Sequence, residues 1–144
     1  MNVKQIDAKD TYQLRNIVLR PNLPVKSCHF DHDKDESTFH LAAYIDDKLA
    51  SIASFYMLNN DKLDDNFQYQ LRGMATLVEY RAQGLSSALL RTAFPLIKKN
   101  HINTLWCNAR SESRGFYEKV GFKAIGDEFN IDGVGLHFLM IKHI

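Results

Sequence analysis

The chain has 144 residues, enough for one ordinary domain with its own core and too few for two of usual size. Hydrophobic residues make up 45% and charged residues 24%, and a formal net charge of +1 lacks the basic footprint of a general nucleic-acid binder. No apolar run approaches the ~20 residues that cross a bilayer, and Met1–Asp10 has no signal-type apolar stretch, so a cytoplasmic protein is expected.

In chain order, Asn2–Ile6 reads as a short strand. Over Asp10–Leu19, Tyr12, Leu14, Ile17 and Val18 recur at helical spacing, and Arg20-Pro21 should end that helix. Pro21–Ser37 is polar and reads as loop or short helix. Phe39–Ile45 and Leu49–Leu58 are predicted strands joined by a tight turn at Asp46-Asp47-Lys48. A charged turn over Asn59–Asp65 leads to a longer strand, Phe67–Leu77. Gly84–Asn100 carries Leu85, Ala88, Leu89, Thr92, Leu96 and Ile97 on one stripe and is predicted helical, with Pro95 expected to kink its last turn. Thr104–Asn108 is a short apolar strand, Ser113–Val120 a short helix stopped by Gly121, and Phe122–Ile125 and Leu136–Ile141 two closing strands. The order β-α-β-β-β-α-β-α-β-β mixes a hairpin meander with βα units, which predicts an α/β (α+β) domain with a mixed sheet flanked by helices.

The two cysteines, Cys28 and Cys107, are expected as thiols. Cys28-His29 places a nucleophile beside a base, but its neighbours give that pairing no support. Cys107 lies in an apolar strand and reads as a small core residue.

The stretch Thr76–Ala88, TLVEYRAQGLSSA, carries the first chemical signal. A strand ends, a polar turn follows, and Gly84 opens an amphipathic helix. The first amides of a helix lack intrahelical acceptors and sit at the positive end of its dipole, a combination suited to a pyrophosphate. Gly84 lets backbone approach phosphate closely, and Arg81 adds a fixed positive charge. A strand–turn–helix junction with no ligand is the other reading of these residues.

A second stretch, Trp106–Phe122, reads WCNARSESRGFYEKVGF. With both stretches in hand, the chain resembles the GNAT superfamily of acetyl-CoA-dependent N-acetyltransferases. Arg81, Gln83 and Gly84 match that family's Arg/Gln-x-x-Gly-x-Gly/Ala phosphate loop. Phe116-Tyr117-Glu118-Lys119-Val120-Gly121-Phe122 matches its later Phe-Tyr-Glu-Lys-x-Gly-Phe signature, in the same order and at similar spacing. Ser86 departs from the usual Gly or Ala, and Ser113 stands where Ala is common. The resemblance implies a single domain over residues 1–144 with a mostly antiparallel sheet. It implies acetyl-CoA as co-substrate, held by Met74, Ala75, Thr76, Arg81, Ala82, Gln83, Gly84, Leu85, Ser86, Asn108 and Tyr117, and no metal. The partners implied are acetyl-CoA and an amine acceptor, with no nucleic acid and no membrane; a homodimer is compatible with it.

The chemistry so implied is attack of a primary amine on an acetyl thioester. An alkyl ammonium of pKa ~10.4 must first lose a proton. Backbone N–H groups at Met74–Thr76 would stabilise the oxyanion. Tyr117, a phenol of pKa ~10, would protonate the leaving thiolate of pKa ~8.5. For the general base, Glu128, His137, His40, His29, Glu36 and ordered water stay open; His137, after Asp132-Gly133-Val134-Gly135, is the residue carried forward, with Glu128 near the acceptor. The acidic run Asp31–Glu36 reads either as an attractor of cations or as a solvated loop. Arg20 is placed to meet a substrate carboxylate. A coenzyme A-binding regulatory module without turnover is the alternative function.

Overall fold

A computed structural model describes all residues, Met1–Ile144. Seven strands join in one sheet of order β1-β2-β3-β4-β5-β7-β6: β1 is Asn2–Ile6, β2 Phe39–Ile45, β3 Lys48–Tyr56, β4 Tyr69–Thr76, β5 Thr104–Arg110, β6 Lys123–Ile131 and β7 Gly135–His143. All neighbours pair antiparallel except β4 and β5. The helices are α1 (Tyr12–Val18), α2 (Leu85–Lys99) and α3 (Arg114–Lys119), so the expected element order holds. None is long and apolar enough to cross a membrane.

The turn between β2 and β3 has its two central residues, Asp46 and Asp47, in the left-handed region (φ 47° and 64°). That geometry matches the twist of a two-residue hairpin, and aspartate tolerates it better than most residues. The main core lies between the sheet and α2 with α3, where Leu85, Leu89, Leu90, Ala93 and Ile97 meet Leu41, Ala53, Phe55 and Leu71. A smaller cluster of Leu14, Ala42, Ile52 and Ala75 packs α1 on the opposite face. The buried stripe of α2 thus runs through Leu90 and Ala93 rather than Ala88, Thr92 and Leu96, which are only partly covered. Pro95 lies exposed within α2, which continues to Lys99. β6 and β7 extend well past the expected Phe122–Ile125 and Leu136–Ile141. Their added residues are mostly polar or exposed because β6 is an edge strand, so no apolar alternation marks them.

On α1 the expected stripe holds at Leu14 and Val18, but a charge is buried beside it. Ile17 is 54% exposed, whereas Arg15 is fully buried. Its Nη1 donates to Asp33 Oδ2 (2.6 Å) and the Cys28 carbonyl (2.8 Å), and Nη2 to Asp33 Oδ1 (2.9 Å), Ser54 (2.9 Å) and Tyr56 (3.1 Å). Tyr56 donates to Asp33 Oδ1 at 2.5 Å, and the two ring nitrogens of His40 meet Ser54 Oγ (2.7 Å) and the Asp33 carbonyl (2.9 Å). This network fastens the Pro21–Thr38 segment to the face of β2 and β3.

Removing Asp33 would leave the Arg15 guanidinium buried without its counter-charge, a loss of about 3–5 kcal/mol. Asp33→Ala should therefore unfold at much lower denaturant than the parent, and an unchanged midpoint would contradict the role given to the pair. Acid should act on the same network in two stages. Burial holds His40 below the ordinary histidine pKa, so the folded state resists the proton that the unfolded chain accepts below about pH 6.5. Burial also raises the Asp33 carboxyl, but hydrogen bonds from Arg15 and Tyr56 outweigh it and the net shift is downward. Its contribution is complete above about pH 4 and is lost as pH falls through the folded value. The Tm should thus decline from pH 7 to 5, then more steeply below 4, and His40→Gln should flatten the first limb.

Candidate active site

β4 and β5 run parallel and pair only at Tyr69–Leu105 and Gln70–Trp106. Beyond those residues the two strands separate, and the sheet opens into a cleft. β4 is also irregular on its other side: Ser54 pairs with Arg72 and Ile52 with Ala75, so two residues of β4, Gly73 and Met74, stand opposite Ala53 alone. Gly73 has φ +63°, which fits a bulge led by a glycine. A bulge leaves its extra residue out of the ladder, and here that residue faces the cleft. A glycine inside a strand pattern is the sequence signal that points to it.

The cleft holds a cavity of about 220 Å³ lined by Leu19, Leu71, Arg72, Gly73, Met74, Cys107, Asn108, Ala109, Arg110, Ser113, Tyr117 and His137. Tyr117, Met74 and His137 come from three separate parts of the chain and share this one space. Tyr117 is buried against Phe116 and Phe122, near the Cys107 thiol. Burial, and secondarily Cys107, holds the Tyr117 phenol well above its ordinary pKa, so it stays protonated across neutral pH. Burial pushes the Cys107 thiol up to about 12, which removes it as a nucleophile. His137 is buried on β7 opposite Arg110, with Nδ1 2.7 Å from the Gly135 carbonyl. A carbonyl only accepts, so in the neutral ring Nδ1 carries the hydrogen and Nε2 presents a lone pair.

A second cavity, of about 330 Å³, lies at the start of α2 and is lined by Thr76, Tyr80, Arg81, Ala82, Gly84, Leu85, Ser86, Ser87 and Phe116. Gly84 caps the helix in the left-handed region (φ +80°), and a Cβ there would meet nothing within 4 Å. Ala88 is the first residue to bond back, to the Gly84 carbonyl, which leaves the amides of Leu85, Ser86 and Ser87 open. The loop is held by its own contacts: Arg81 Nε donates to the Thr76 carbonyl (3.4 Å), Gln83 to the Glu79 carbonyl (3.3 Å), and Thr76 Oγ1 joins Ser86 (3.3 Å) and Ser51 (2.7 Å). Thr76 and Phe116 border this cavity while Met74 and Tyr117, two residues and one residue away, border the first. The two cavities are therefore successive along β4 and α3.

The remaining sequence candidates lie elsewhere. Arg20 donates to the Ser27 carbonyl at 2.5 Å and stacks on Phe30 (5.0 Å), and Leu19 rather than Arg20 lines the cavity. Glu128 is exposed and accepts from Ser111 at 2.5 Å. His40 has both nitrogens engaged in the Arg15 network, so neither is free to act as a base. His29 stacks on Tyr12 at 3.9 Å, Glu36 is exposed, and Cys28 is fully buried. Sequence reasoning missed Arg72 and Arg110, whose place in the cavity depends on the strand splay.

Comparison with known proteins agrees with this architecture. The family described as Acetyltransferase (GNAT) domain matches residues 25–143. An uncharacterized N-acetyltransferase of Bacillus subtilis (strain 168), YitI, is 39% identical over 142 residues, covering 99% of this chain and 95% of its own. Among solved structures, an aminoglycoside 6'-N-acetyltransferase complexed with coenzyme A superposes with a TM-score of 0.77 at 12% identity, covering 99% of this chain and 97% of that one. The ribosomal-protein-S18-alanine N-acetyltransferase from Escherichia coli does so at 0.77 and 19%, covering 99% and 93%. At those identities the two structures speak to the fold. Fold and family together define an acyl-transfer enzyme. The chain belongs to the GNAT family of N-acetyltransferases.

Proposed function

We propose that this enzyme transfers an acetyl group from acetyl-CoA to the primary amine of a small molecule, an amino acid derivative or a protein, with residues 1–144 acting as one unit. The observation that carries this reading is the pair of successive cavities, one built for an anion and one holding a protonated phenol opposite a β-bulge. The open amides of Leu85–Ser87, with Ala82, Gln83, Gly84 and Arg81 in the loop, fit a pyrophosphate because the space before Gly84 is clear. Met74, Ala75 and Thr76 would flank the rest of the cofactor, with Asn108 on the opposite strand. When bound, acetyl-CoA supplies the activated acyl carbon and a thiolate leaving group.

The protein's own groups then have separate tasks. Backbone N–H groups at the Gly73–Met74 bulge are fixed in place and meet negative charge as it develops on the carbonyl oxygen. Tyr117 donates its proton to the departing sulfur, which its raised pKa keeps available throughout neutral pH. Nε2 of His137 accepts a proton from the incoming ammonium, directly or through water. The walls of Leu19, Leu71 and Met74 limit water at the acyl carbon. A purely regulatory coenzyme A module would need neither the protonated phenol nor the free imidazole nitrogen in one cavity.

The test is release of free thiol from acetyl-CoA with a panel of amines, amino acids, polyamines and peptides. Acceptor-dependent release is expected; cofactor binding without release by any acceptor would favour the regulatory module. The rate should climb from pH 6 towards 9 as more acceptor loses its proton. His137→Gln keeps a donor for the Gly135 carbonyl but removes the Nε2 lone pair. That variant should lose kcat, and an unchanged kcat would assign deprotonation to water alone.

A further inference from the structure

The acceptor side of the catalytic cavity is cationic. Arg72 and Arg110 both line it, and no carboxylate does. The four ion pairs of the protein are Arg15–Asp33, His32–Asp35, Lys48–Glu79 and Arg114–Glu118, so neither cavity arginine is neutralised. With a net charge of only +1, this is local and not a property of the whole surface.

Arg72 is held in position without being used up. Its guanidinium lies 4.8 Å from the centre of the Phe30 ring and 5.9 Å from that of Tyr56. Phe30 also receives Arg15 (4.1 Å) and Arg20 (5.0 Å), so three guanidinium groups converge on one aromatic ring. Arg15 is balanced by Asp33 and Arg20 by the Ser27 carbonyl, which leaves Arg72 as the member with no polar partner. Stacking on rings restricts a guanidinium while leaving its in-plane N–H groups free, an arrangement suited to a carboxylate.

Arg15 Nε is buried with no hydrogen-bond partner. It lies 3.5 Å from where a Cβ on Gly73 would stand, and Gly73 lines the cavity. Arg15 is wholly buried and does not itself line the cavity, so this donor is closed off behind the Gly73 wall and Arg72 is the guanidinium a ligand can reach. The cofactor phosphates do not account for Arg72. Arg72 precedes Thr76 by four residues of strand, roughly 13 Å, and the phosphate loop begins only beyond Thr76. Arg72 also faces the α1 side of the sheet under Phe30, whereas the start of α2 lies on the other side.

We propose that the acceptor is an amine that also carries a carboxylate, an amino acid or a compound of that class, and that Arg72 binds the carboxylate while the amine reaches the acyl carbon beside Met74. This rests on the acetyltransferase reading above. Two uncompensated arginines repel diamines and polyamines, and a cationic amine gains nothing to offset that cost. Arg110, on the opposite wall, adds to the same field.

The experiment compares matched acceptors in the thiol-release assay: amino acids against their amides, ω-amino acids against diamines of equal length, and dipeptides against dipeptide amides. Carboxylate-bearing members should be preferred by about tenfold or more in kcat/KM, the scale on which loss of one charge-paired partner acts. Arg72→Gln should erase most of that preference through KM, Arg72→Lys should restore part of it, and both should keep the acetyl-CoA-induced rise in Tm. Calorimetric titration of the coenzyme A complex with the same compounds reads binding apart from turnover. Turnover confined to neutral or cationic amines, or no binding and no turnover of any carboxylate-bearing amine, overturns the proposal even when acetyl-CoA binds. A protein whose Tm ignores acetyl-CoA fails at the earlier reading instead.

Discussion

Gly84→Glu should abolish the stabilisation that acetyl-CoA gives to the parent protein. A ligand bound only by the folded state adds about 2.7 kcal/mol at a hundredfold excess over Kd, so the parent should show a clear rise in Tm. Gly84 caps α2 with φ +80°, in front of open space and beside the free amides of Leu85, Ser86 and Ser87. A glutamate there would put a carboxylate where phosphates need to sit, at the positive end of a helix. It would also strain the left-handed conformation, so the variant's own Tm should fall somewhat. The decisive reading is the difference with and without acetyl-CoA. A variant that still shifts as far as the parent would remove the start of α2 from the binding site.

Tyr117→Phe should lower kcat by about 10²–10⁴-fold, the usual worth of a positioned general acid. The ring packs between Phe116 and Phe122 and would keep that place as phenylalanine. Only the hydroxyl facing Cys107 is lost, so the cofactor-induced rise in Tm should persist. The raised pKa of Tyr117 also means that its loss should cost a similar factor throughout pH 6–9, where the parent phenol is protonated. An unchanged kcat on the true acceptor would make Tyr117 a core residue and assign thiolate protonation to solvent.

What the sequence made legible was local. The strand–loop–helix of Thr76–Ala88 and the Phe-Tyr-Glu-Lys segment are each contiguous, and each contains its own turn chemistry, so both could be read directly and joined by resemblance to one family. Strands and helices followed for the same reason, since their periodicities are short-range. The features that shape the Arg15 network and the cleft between β4 and β5 are not local. Arg15 finds Asp33 across the irregular Pro21–Thr38 segment, and a buried arginine on an otherwise amphipathic helix looks in sequence like part of its exposed face. Of the stripe Tyr12, Leu14, Ile17 and Val18, Leu14 and Val18 do pack on the sheet, and only Ile17 is out of place, with Arg15 buried instead.

The splay of β4 from β5 is likewise invisible in either strand alone. It depends on pairing that stops after Gln70 and Trp106, and it decides that Arg72, Asn108 and Arg110 line a cavity instead of a continuous sheet. Arg20 holds the place where the family often builds its acceptor pocket, yet its guanidinium is engaged by Ser27 and the unpaired one beside Phe30 belongs to Arg72. His40 stood among six histidines with nothing to distinguish it, and only its bonds to Ser54 and Asp33 reveal a structural role.

The most direct measurement is a crystal structure of the protein with coenzyme A. The pyrophosphate is expected on the amides of Leu85–Ser87 with Arg81 alongside. The pantetheine arm is expected in the gap between β4 and β5, and the sulfur in the cavity shared by Met74 and Tyr117, within hydrogen-bonding distance of the Tyr117 hydroxyl. A cofactor seated elsewhere, or a sulfur turned away from Tyr117 with the β4–β5 gap closed, would contradict this placement.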